Sequence, residues 1–219
     1  MSGATSGRRG VFVVFEGIEG SGKSTQARML SEWLAARGVP HGRVREPGGT
    51  PVGEEIRRLI LESDHLPARA ELFLALAARA LHVDEVLAPA LAAGEVVVAD
   101  RYELSTFAYQ GYGRGLPLEE VRRMNELATG GLSPDVTLLL EVPVAVGEAR
   151  RREAGRGADR IEGAGPAFHA RVAEAYALLA ETEPRVERVD ATADPEQVHA
   201  EVLRRLNARF PETFPLRAG

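Results

Sequence analysis

The fold is decided by the stretch Val11-Phe12-Val13-Val14-Phe15-Glu16-Gly17-Ile18-Glu19-Gly20-Ser21-Gly22-Lys23-Ser24-Thr25, an apolar run that enters a glycine-rich turn and leaves as a helix. Its pattern Gly17-x-x-x-x-Gly22-Lys23-Ser24 is typical of a phosphate-binding loop, whose backbone N–H groups point inward at anionic oxygens. In such a loop the lysine reaches the β- and γ-phosphates and the serine hydroxyl ligates Mg²⁺. The residues that follow carry Ala27, Leu30 and Leu34 at helical spacing, as the motif requires. We therefore predict a nucleotide phosphate site formed by Gly17, Ile18, Glu19, Gly20, Ser21, Gly22, Lys23, Ser24 and Thr25.

Composition and charge narrow the class of protein. The 219 residues are 44% hydrophobic and 27% charged, which is typical of a soluble protein, and no apolar run approaches the ~18 residues of a membrane span. A net charge of −5 disfavours a nucleic-acid-binding surface. The chain has no cysteine for disulfides or thiolate metal sites, and its five histidines are scattered. We expect a cytoplasmic protein without nucleic-acid or membrane partners.

The pattern of apolar runs predicts a single α/β domain over residues 11–209. Strands are expected near residues 11, 41, 96, 136 and 186, with helices between them, which gives a parallel sheet of about five strands covered on both faces. Thr50 and Asp194, each followed by a proline, are expected to cap helices. Residues 1–10 are predicted to be a disordered tail, and residues 210–219 a frayed one. A helix over residues 117–129 is expected to bury Leu118, Val121, Met124 and Leu127.

Three further stretches combine groups that suit ligand binding. The turn Arg45–Pro51 follows a predicted strand, where parallel sheets bind ligands, although it could be a simple surface turn. Asp100 and Arg101 end a buried strand, as a functional pair or as a structural ion pair. Residues 105–115 carry hydroxyl, amide and aromatic groups that suit a heterocycle and a sugar, or else belong to the core. Arg79, on an apolar helical ridge, is either a snorkelling side chain or a ligand contact.

The stretch 150–163 contains five arginines and the helix-breaking Gly155 and Gly157. A charge run of this kind is often a solvated helix face. Beside a phosphate-binding loop it also fits a mobile lid, because phosphoryl transfer needs positive charge at the γ-phosphoryl group and exclusion of water. A GTPase is disfavoured, since no Asn-Lys-x-Asp element is present. A small kinase and a non-catalytic nucleotide-binding module remain.

Five motifs, in this order and spacing, resemble the bacterial thymidylate kinases over about residues 11 to 207. They are Phe15–Gly20, Arg45–Thr50, Asp100–Tyr102, Ser105–Gly115 and Asp159–Glu162. The resemblance implies a P-loop kinase fold with a short arginine-rich lid over about residues 150–163. It also implies an Mg²⁺-dependent transfer of the γ-phosphoryl group of ATP to dTMP, in a homodimer built through the helices of residues 67–93 and 117–129.

The same resemblance implies a role for each site residue. Lys23 would hold the ATP phosphates, Ser24 and Asp100 the Mg²⁺ or its water, and Arg57 and Arg101 the dTMP phosphate. Glu19 would accept from the 3′-hydroxyl group, and Tyr109 would crowd a ribose 2′-hydroxyl. The thymine would face Arg79, Thr106 and Gln110, and Pro47 completes the substrate-binding set. The catalytic set is Lys23, Asp100, Arg101 and the lid residue Arg156, with Arg152 and Arg160 as alternatives.

One position departs from the family pattern. The family usually has a phenylalanine four residues before the Arg79 position, where it stacks on thymine, but this chain has Ala75 there. Phe73 lies about 200° away around a helix and cannot replace it on the same face. Either Leu76 or another side chain packs against the base, or the specificity differs. The alternative functions are therefore a kinase for another nucleoside monophosphate and a non-catalytic nucleotide-binding module.

Overall fold

A five-stranded parallel sheet forms the centre of the computed structural model, which describes residues 9–153, 155 and 159–216. The strand order is β2-β3-β1-β4-β5. The predicted strands are thereby confirmed, and their bounds are β1 (Phe12–Glu16), β2 (His41–Arg45), β3 (Val96–Asp100), β4 (Val136–Glu141) and β5 (Val186–Asp190).

Helices connect the strands and cover both faces of the sheet. Thr50 and Asp194 cap their helices as predicted, because each side chain accepts a hydrogen bond from a backbone N–H three residues later. Two π-helical segments, Val83–Leu87 and Phe107–Gly113, continue the helices that end at His82 and Thr106. The helices are α1 (Lys23–Ala35), α2 (Pro51–Glu62), α3 (Ala68–His82), α4 (Ala88–Ala92), α5 (Glu103–Thr106), α6 (Leu118–Thr129), α7 (Val144–Glu153), α8 (Pro166–Thr182) and α9 (Pro195–Arg209).

The three inner strands are apolar because both of their faces are covered. Almost every residue of β1, β3 and β4 is buried, whereas the edge strands β2 and β5 carry several polar residues and are partly exposed. One core cluster joins the sheet to α1 and α9, and another lies among α3, the Phe107–Gly113 segment and α8. β1 lies between β3 and β4, so the chain places β2 and β3 on one side of β1 and then crosses to place β4 and β5 on the other side. Such a switch point opens a crevice at the carboxyl ends of the strands.

Both terminal predictions need correction within the described residues. Arg9 pairs with Asp135, and the Gly10 N–H donates to the Leu91 carbonyl at 2.8 Å, so these two residues are ordered against the domain, whereas residues 1–8 lie outside the described part. The expected fraying after residue 210 is wrong for residues 211–216. Phe214 is fully buried and stacks against Trp33, because the chain folds back over α1 and α9.

The apolar face predicted for α6 is also partly wrong. This helix buries Val121, Asn125 and Thr129, which lie one turn apart, and leaves Leu127 86% exposed. The buried stripe therefore includes two polar residues, and Leu127 falls outside it. No helix among the described residues has both the length and the apolar character needed to cross a membrane.

Candidate active site

A cavity of about 690 Å³ lies at the carboxyl ends of the central strands. Most of the predicted site residues line it: Glu19, Gly20, Gly22, Lys23, Ser24, Thr25, Pro47, Arg57, Arg79, Asp100, Arg101, Thr106, Tyr109 and Gln110. Three loop residues, Gly17, Ile18 and Ser21, are not part of the cavity wall. Arg156 lies outside the described residues. The motifs that are separated along the chain are thus brought together around one space.

The phosphate-binding loop connects β1 to α1, which begins at Lys23. Glycine is required at Gly20, because φ is 75° there and a Cβ atom would lie 2.1 Å from the Gly147 carbonyl oxygen of α7. The Lys23 ammonium is buried and donates to the Ile18 carbonyl at 2.8 Å. Burial, followed by the nearby Arg101 guanidinium, lowers the pKa of Lys23. The N-terminus of α1 and this ammonium together form an electropositive end to the cavity.

Ser24 and Asp100 meet where α1 begins and β3 ends. The Ser24 Oγ atom donates to Asp100 Oδ2 at 2.5 Å. A hydroxyl group and a carboxylate beside a phosphate site fit Mg²⁺, which takes oxygen ligands and is usually bound by one or two protein groups together with substrate phosphates. No cluster of three or more histidine, aspartate or glutamate side chains suited to a metal occurs among the described residues. A metal here would depend on the nucleotide for its remaining ligands.

Arg101 joins the phosphate-binding loop to the opposite wall of the cavity. Its φ of 78° is the only positive value among the described residues other than glycines, and such strain costs on the order of 1–3 kcal/mol. The guanidinium forms an ion pair with Glu19 and lies over the Tyr109 ring at 5.1 Å. The Arg101 charge lowers the pKa of Glu19 to about 2. Further bonds from Nη1 reach Ser105 Oγ at 3.0 Å and Tyr176 OH at 3.2 Å.

Arg57 and Arg45 bring two more positive charges to the same cavity. The Arg57 Nη1 atom donates to the Pro47 carbonyl at 2.9 Å, which anchors α2 to the turn after β2. Burial, and then the like charge of Arg45, lower the pKa of Arg57. Glu54 pairs with Arg45 at 2.8 Å but is itself exposed. With Arg101, these residues make the cavity favourable for a second anion, apart from the one at the phosphate-binding loop.

Arg79 is a buried cation at the cavity wall, and its surroundings show that it does not snorkel. Nε donates to Glu46 Oε2 at 2.7 Å, and Nη1 donates to Thr106 Oγ1 at 2.8 Å and Asn125 Oδ1 at 2.6 Å. Nη2 donates to the Tyr102 carbonyl at 2.9 Å. Burial alone would lower the pKa of Arg79, but the charge and hydrogen bond of Glu46 together with Tyr102 and Glu103 outweigh burial and raise the pKa. These bonds leave one guanidinium N–H for a ligand.

Ala75 lines the cavity one helical turn from Arg79. Phe73 is 57% exposed on another face of α3, as its spacing predicts. Leu76 is buried in the core and is not part of the cavity wall, so it does not take the place of an aromatic residue. The larger apolar side chains that line the cavity besides Ala75 and Pro47 are Ile60, Leu61, Ile161 and Tyr109.

One side of the cavity is formed by the end of α7 and by Asp159, Ile161 and Glu162 after it. Arg150 and Arg151 line it, and Arg151 pairs with Glu162 at 3.5 Å. Arg152 is exposed, and its Nε atom donates to the Glu148 carbonyl of the same helix at 3.3 Å. Arg160 binds other groups, because Nη1 pairs with the buried Glu71 carboxylate on α3 at 2.8 Å and Nε donates to the Ile60 carbonyl. The sequence predicted Arg152, Arg156 and Arg160 as lid arginines but did not predict Arg151.

Three buried carboxylates in the site were not predicted. Glu16 accepts hydrogen bonds from Ser105 Oγ at 2.7 Å and Tyr176 OH at 2.8 Å, and thereby positions groups that bind Arg101. Glu46 holds Arg79, and Glu71 is surrounded by cations. Their sequence signal is an acid at the end of an apolar strand or on an apolar helical ridge, where burial requires a partner. Their partners lie far along the chain and could not be identified from it.

Comparison with known proteins gives one consistent family. A family model described as thymidylate kinase matches residues 15–202. A thymidylate kinase from Desulfovibrio desulfuricans is 51% identical over 197 residues, which cover 86% of this chain and 91% of that protein. One from Synechococcus sp. (strain JA-3-3Ab) is 46% identical over 206 residues, covering 94% of this chain and 99% of that protein. The crystal structure of a thymidylate kinase from Ehrlichia chaffeensis superimposes with a TM-score of 0.77 at 31% identity, covering 91% of this chain and 100% of that one.

Proposed function

The chain belongs to the thymidylate kinase family, which phosphorylates dTMP to dTDP with ATP, and from this premise we propose how its cavity performs the reaction. The two electropositive regions of the cavity provide places for the two anionic substrates. The phosphate-binding loop serves ATP, and the region of Arg57 and Arg101 serves the phosphate of dTMP. A kinase for another monophosphate and a non-catalytic module are not favoured, because the matched relatives are thymidylate kinases over most of the chain.

On the donor side, Lys23 and the N–H groups at the start of α1 hold the β- and γ-phosphates. Ser24 and Asp100 would hold Mg²⁺, which when bound neutralises charge on the transferring group. Phosphate binding favours the charged form of Lys23, which offsets the burial that lowers its pKa. Lys23 therefore pairs with the negative charge of the phosphates when ATP binds.

On the acceptor side, Arg57 and Arg101 bind and orient the dTMP phosphate so that its oxygen faces the γ-phosphoryl group. Glu19 lies beside Arg101 and offers its carboxylate to the 3′-hydroxyl group of the sugar. Arg79, Thr106 and Gln110 face the base, and Tyr109 lies against the sugar where it crowds a 2′-hydroxyl. Catalysis then consists mainly of positioning and of charge stabilisation, to which Arg156 contributes from the lid.

The observation that carries this proposal is the juxtaposition of Lys23, Ser24, Asp100 and Arg101 in one cavity. Lys23→Met removes the ammonium but keeps an extended side chain, and we expect kcat to fall by about 10³-fold. The matched control is Arg28→Met on the exposed face of α1, which should leave turnover unchanged. Full activity of Lys23→Met would refute the donor site.

Lys23 also allows a direct binding test, because it is the only lysine in the chain. An amine-reactive reagent can therefore modify only Lys23 and the N-terminal amine. ATP should protect Lys23 from modification, as read by peptide mass spectrometry, while the N-terminal amine reacts equally with and without ATP. Modification of Lys23 to the same extent in the free protein and in the presence of ATP would contradict its contact with the phosphates.

We further propose a homodimer and a cytoplasmic location, as predicted from the sequence. The dimer is supported by large apolar side chains exposed on three adjacent helices, where α3 packs against both α2 and α6. These are Leu59 on α2, Phe73 on α3 and Leu127 on α6. Exposed apolar groups on neighbouring elements are characteristic of an interface between subunits.

A further inference from the structure

Glu71 is a fully buried carboxylate on α3 that borders the cavity and has no role in the reaction described above. Gln110 Nε2 donates to its Oε1 atom at 2.7 Å. Arg114 Nη2 and Arg160 Nη1 contact Oε2 at 3.0 and 2.8 Å. Burial alone would raise the pKa of Glu71, but the hydrogen bonds from Arg114 and Gln110 outweigh it and lower the pKa. The carboxylate is therefore ionised at neutral pH.

An ionised carboxylate accepts hydrogen bonds and donates none. The Gln110 amide can therefore bond to Glu71 only through Nε2, and this fixes which end of the amide is turned toward Glu71. Oε1 is the opposite end, and no group in the described part of the chain donates to it. Gln110 lines the cavity together with Thr106 and Arg79, at the place proposed for the base. The amide thus offers a hydrogen-bond acceptor to the ligand.

We propose that Glu71 determines base selectivity by locking the Gln110 amide with its oxygen toward the base of the acceptor nucleotide. Thymine and uracil carry an N3–H donor that can bond to this oxygen. Cytosine has a lone pair at N3, so two acceptors would face each other with no hydrogen between them. The inference rests on the proposed position of the base beside Gln110, and it adds a positioning residue that acts on specificity.

A structural role for Glu71 in holding the lid segment is the main competing explanation. Arg160 has two further anchors on α2, since Nε donates to the Ile60 carbonyl at 2.9 Å and its backbone N–H donates to the Leu61 carbonyl at 3.2 Å. Gln110 Nε2, by contrast, has Glu71 as its acceptor among the described residues. Orientation of the amide therefore depends on Glu71 more directly than attachment of the lid does.

The test is the ratio of kcat/KM for dTMP to kcat/KM for dCMP in Glu71→Gln. A glutamine at position 71 can donate as well as accept, so both orientations of the Gln110 amide become available. We expect the ratio to fall about tenfold or more. An unchanged ratio in the folded variant would overturn the proposal. If the wild-type protein fails to phosphorylate dTMP, the proposed function fails instead.

Two further variants separate the explanations. Arg160→Met removes the lid contact and should change both substrates alike, leaving the ratio intact. A ratio that falls as far in Arg160→Met as in Glu71→Gln would assign the effect to the lid and refute the proposal. The double variant Glu71→Gln with Gln110→Glu reverses the pair, keeps one carboxylate in it and again presents an acceptor to the base. This double variant should keep the ratio of kcat/KM for dTMP to kcat/KM for dCMP within about threefold of wild type. A fall of that ratio in the double variant would also refute the proposal, and this test remains available even if Glu71→Gln alone does not fold.

Discussion

At the residue scale, the ion pair of Arg101 and Glu19 connects two stretches of chain that are 82 residues apart. The carboxylate belongs to the phosphate-binding loop, and the guanidinium follows β3 in a left-handed backbone conformation. The sequence predicted both residues as parts of the site, and both line the cavity. The ion pair between them depends on tertiary packing. So do the hydrogen bonds from Arg101 to the hydroxyl groups of Ser105 and Tyr176, which orient the guanidinium.

The ion pair of Arg101 and Glu19 makes the free energy of unfolding fall as the pH becomes acidic. Arg101 lowers the pKa of Glu19 from 4.5 to about 2. The stabilisation is therefore complete above the unfolded-state pKa and is lost as the pH falls through 4.5 toward about 2. We expect the free energy of unfolding of wild type to exceed that of Glu19→Gln at neutral pH, with the difference shrinking in acid. Urea unfolding at a series of pH values measures this difference.

The matched control for this prediction is the same substitution in an Arg101→Met background. Without the guanidinium the pKa of Glu19 is no longer lowered by its largest cause, so the shrinkage in acid should disappear. A difference between wild type and Glu19→Gln that stays constant down to about pH 3 would contradict the pair's contribution.

The catalytic arginine of the lid can be tested by a second prediction. The position of Arg156 between Gly155 and Gly157 predicts that it is this catalytic arginine. If it stabilises charge on the transferring phosphoryl group, Arg156→Ala should lower kcat by about 10³-fold with little change in either KM. Arg152→Ala is the matched control, since Arg152 is exposed and donates to the carbonyl of Glu148. If Arg156→Ala is fully active, the charge must come from another residue, and Arg151 on the cavity wall is then the next candidate.

At the scale of elements, local signals predicted the fold well. Apolar runs located the inner strands β1, β3 and β4, whereas the edge strands β2 and β5 carried only weak signals and were still placed at the right positions. The Thr50-Pro51 and Asp194-Pro195 pairs placed two helix starts to the residue. Such signals act within a few residues, so one sequence contains them. The π-helical segments were not predicted, because their extra residue per turn leaves no distinct pattern. Phe107–Gly113 places Tyr109 and Gln110 on the cavity wall.

Contact between α7 and the phosphate-binding loop leads to a third prediction. A Cβ atom at Gly147 would lie 2.5 Å from the Glu19 carbonyl oxygen, so α7 can pack on the loop only because both residues 20 and 147 are glycines. Gly147→Ala should push α7 away from the loop and displace the ATP phosphates. We expect kcat/KM for ATP to fall about tenfold to a hundredfold. Overpacking should also lower the free energy of unfolding by about 1–3 kcal/mol.

Gly163→Ala serves as the control for this prediction. Gly163 follows the lid arginines, has no positive φ, and would place its Cβ atom in open space. This variant should keep the wild-type kcat/KM for ATP. Equal losses in both variants would indicate a general effect of the lid segment and would contradict the specific contact at Gly147.

At the scale of the whole molecule, sequence patterns named most of the residues that line the cavity but not how they are paired. The fold brings Lys23, Asp100 and Arg101, which lie in separate motifs, to the same cavity. Glu46 and Glu71 were missed, because their partners are 33 to 89 residues away and only packing selects them. Phe214 was missed for the same reason, since its partner Trp33 lies on the first helix. Long-range pairing of this kind requires the three-dimensional structure.

The exposed apolar groups of α2, α3 and α6 lead to the last prediction, which concerns assembly. Leu59 is 48% exposed, Phe73 57% and Leu127 86%, and these groups would leave water in a dimer. We expect wild-type protein to sediment with twice the mass of one chain. Phe73→Glu and Leu127→Glu place charges in the interface without touching the core, so each should shift the equilibrium toward monomer.

Leu178→Glu on α8 is the matched control, because Leu178 is 49% exposed but lies on a different helix. This variant should remain dimeric. A wild-type monomer at all concentrations, or dissociation by Leu178→Glu alone, would contradict an interface on these three helices.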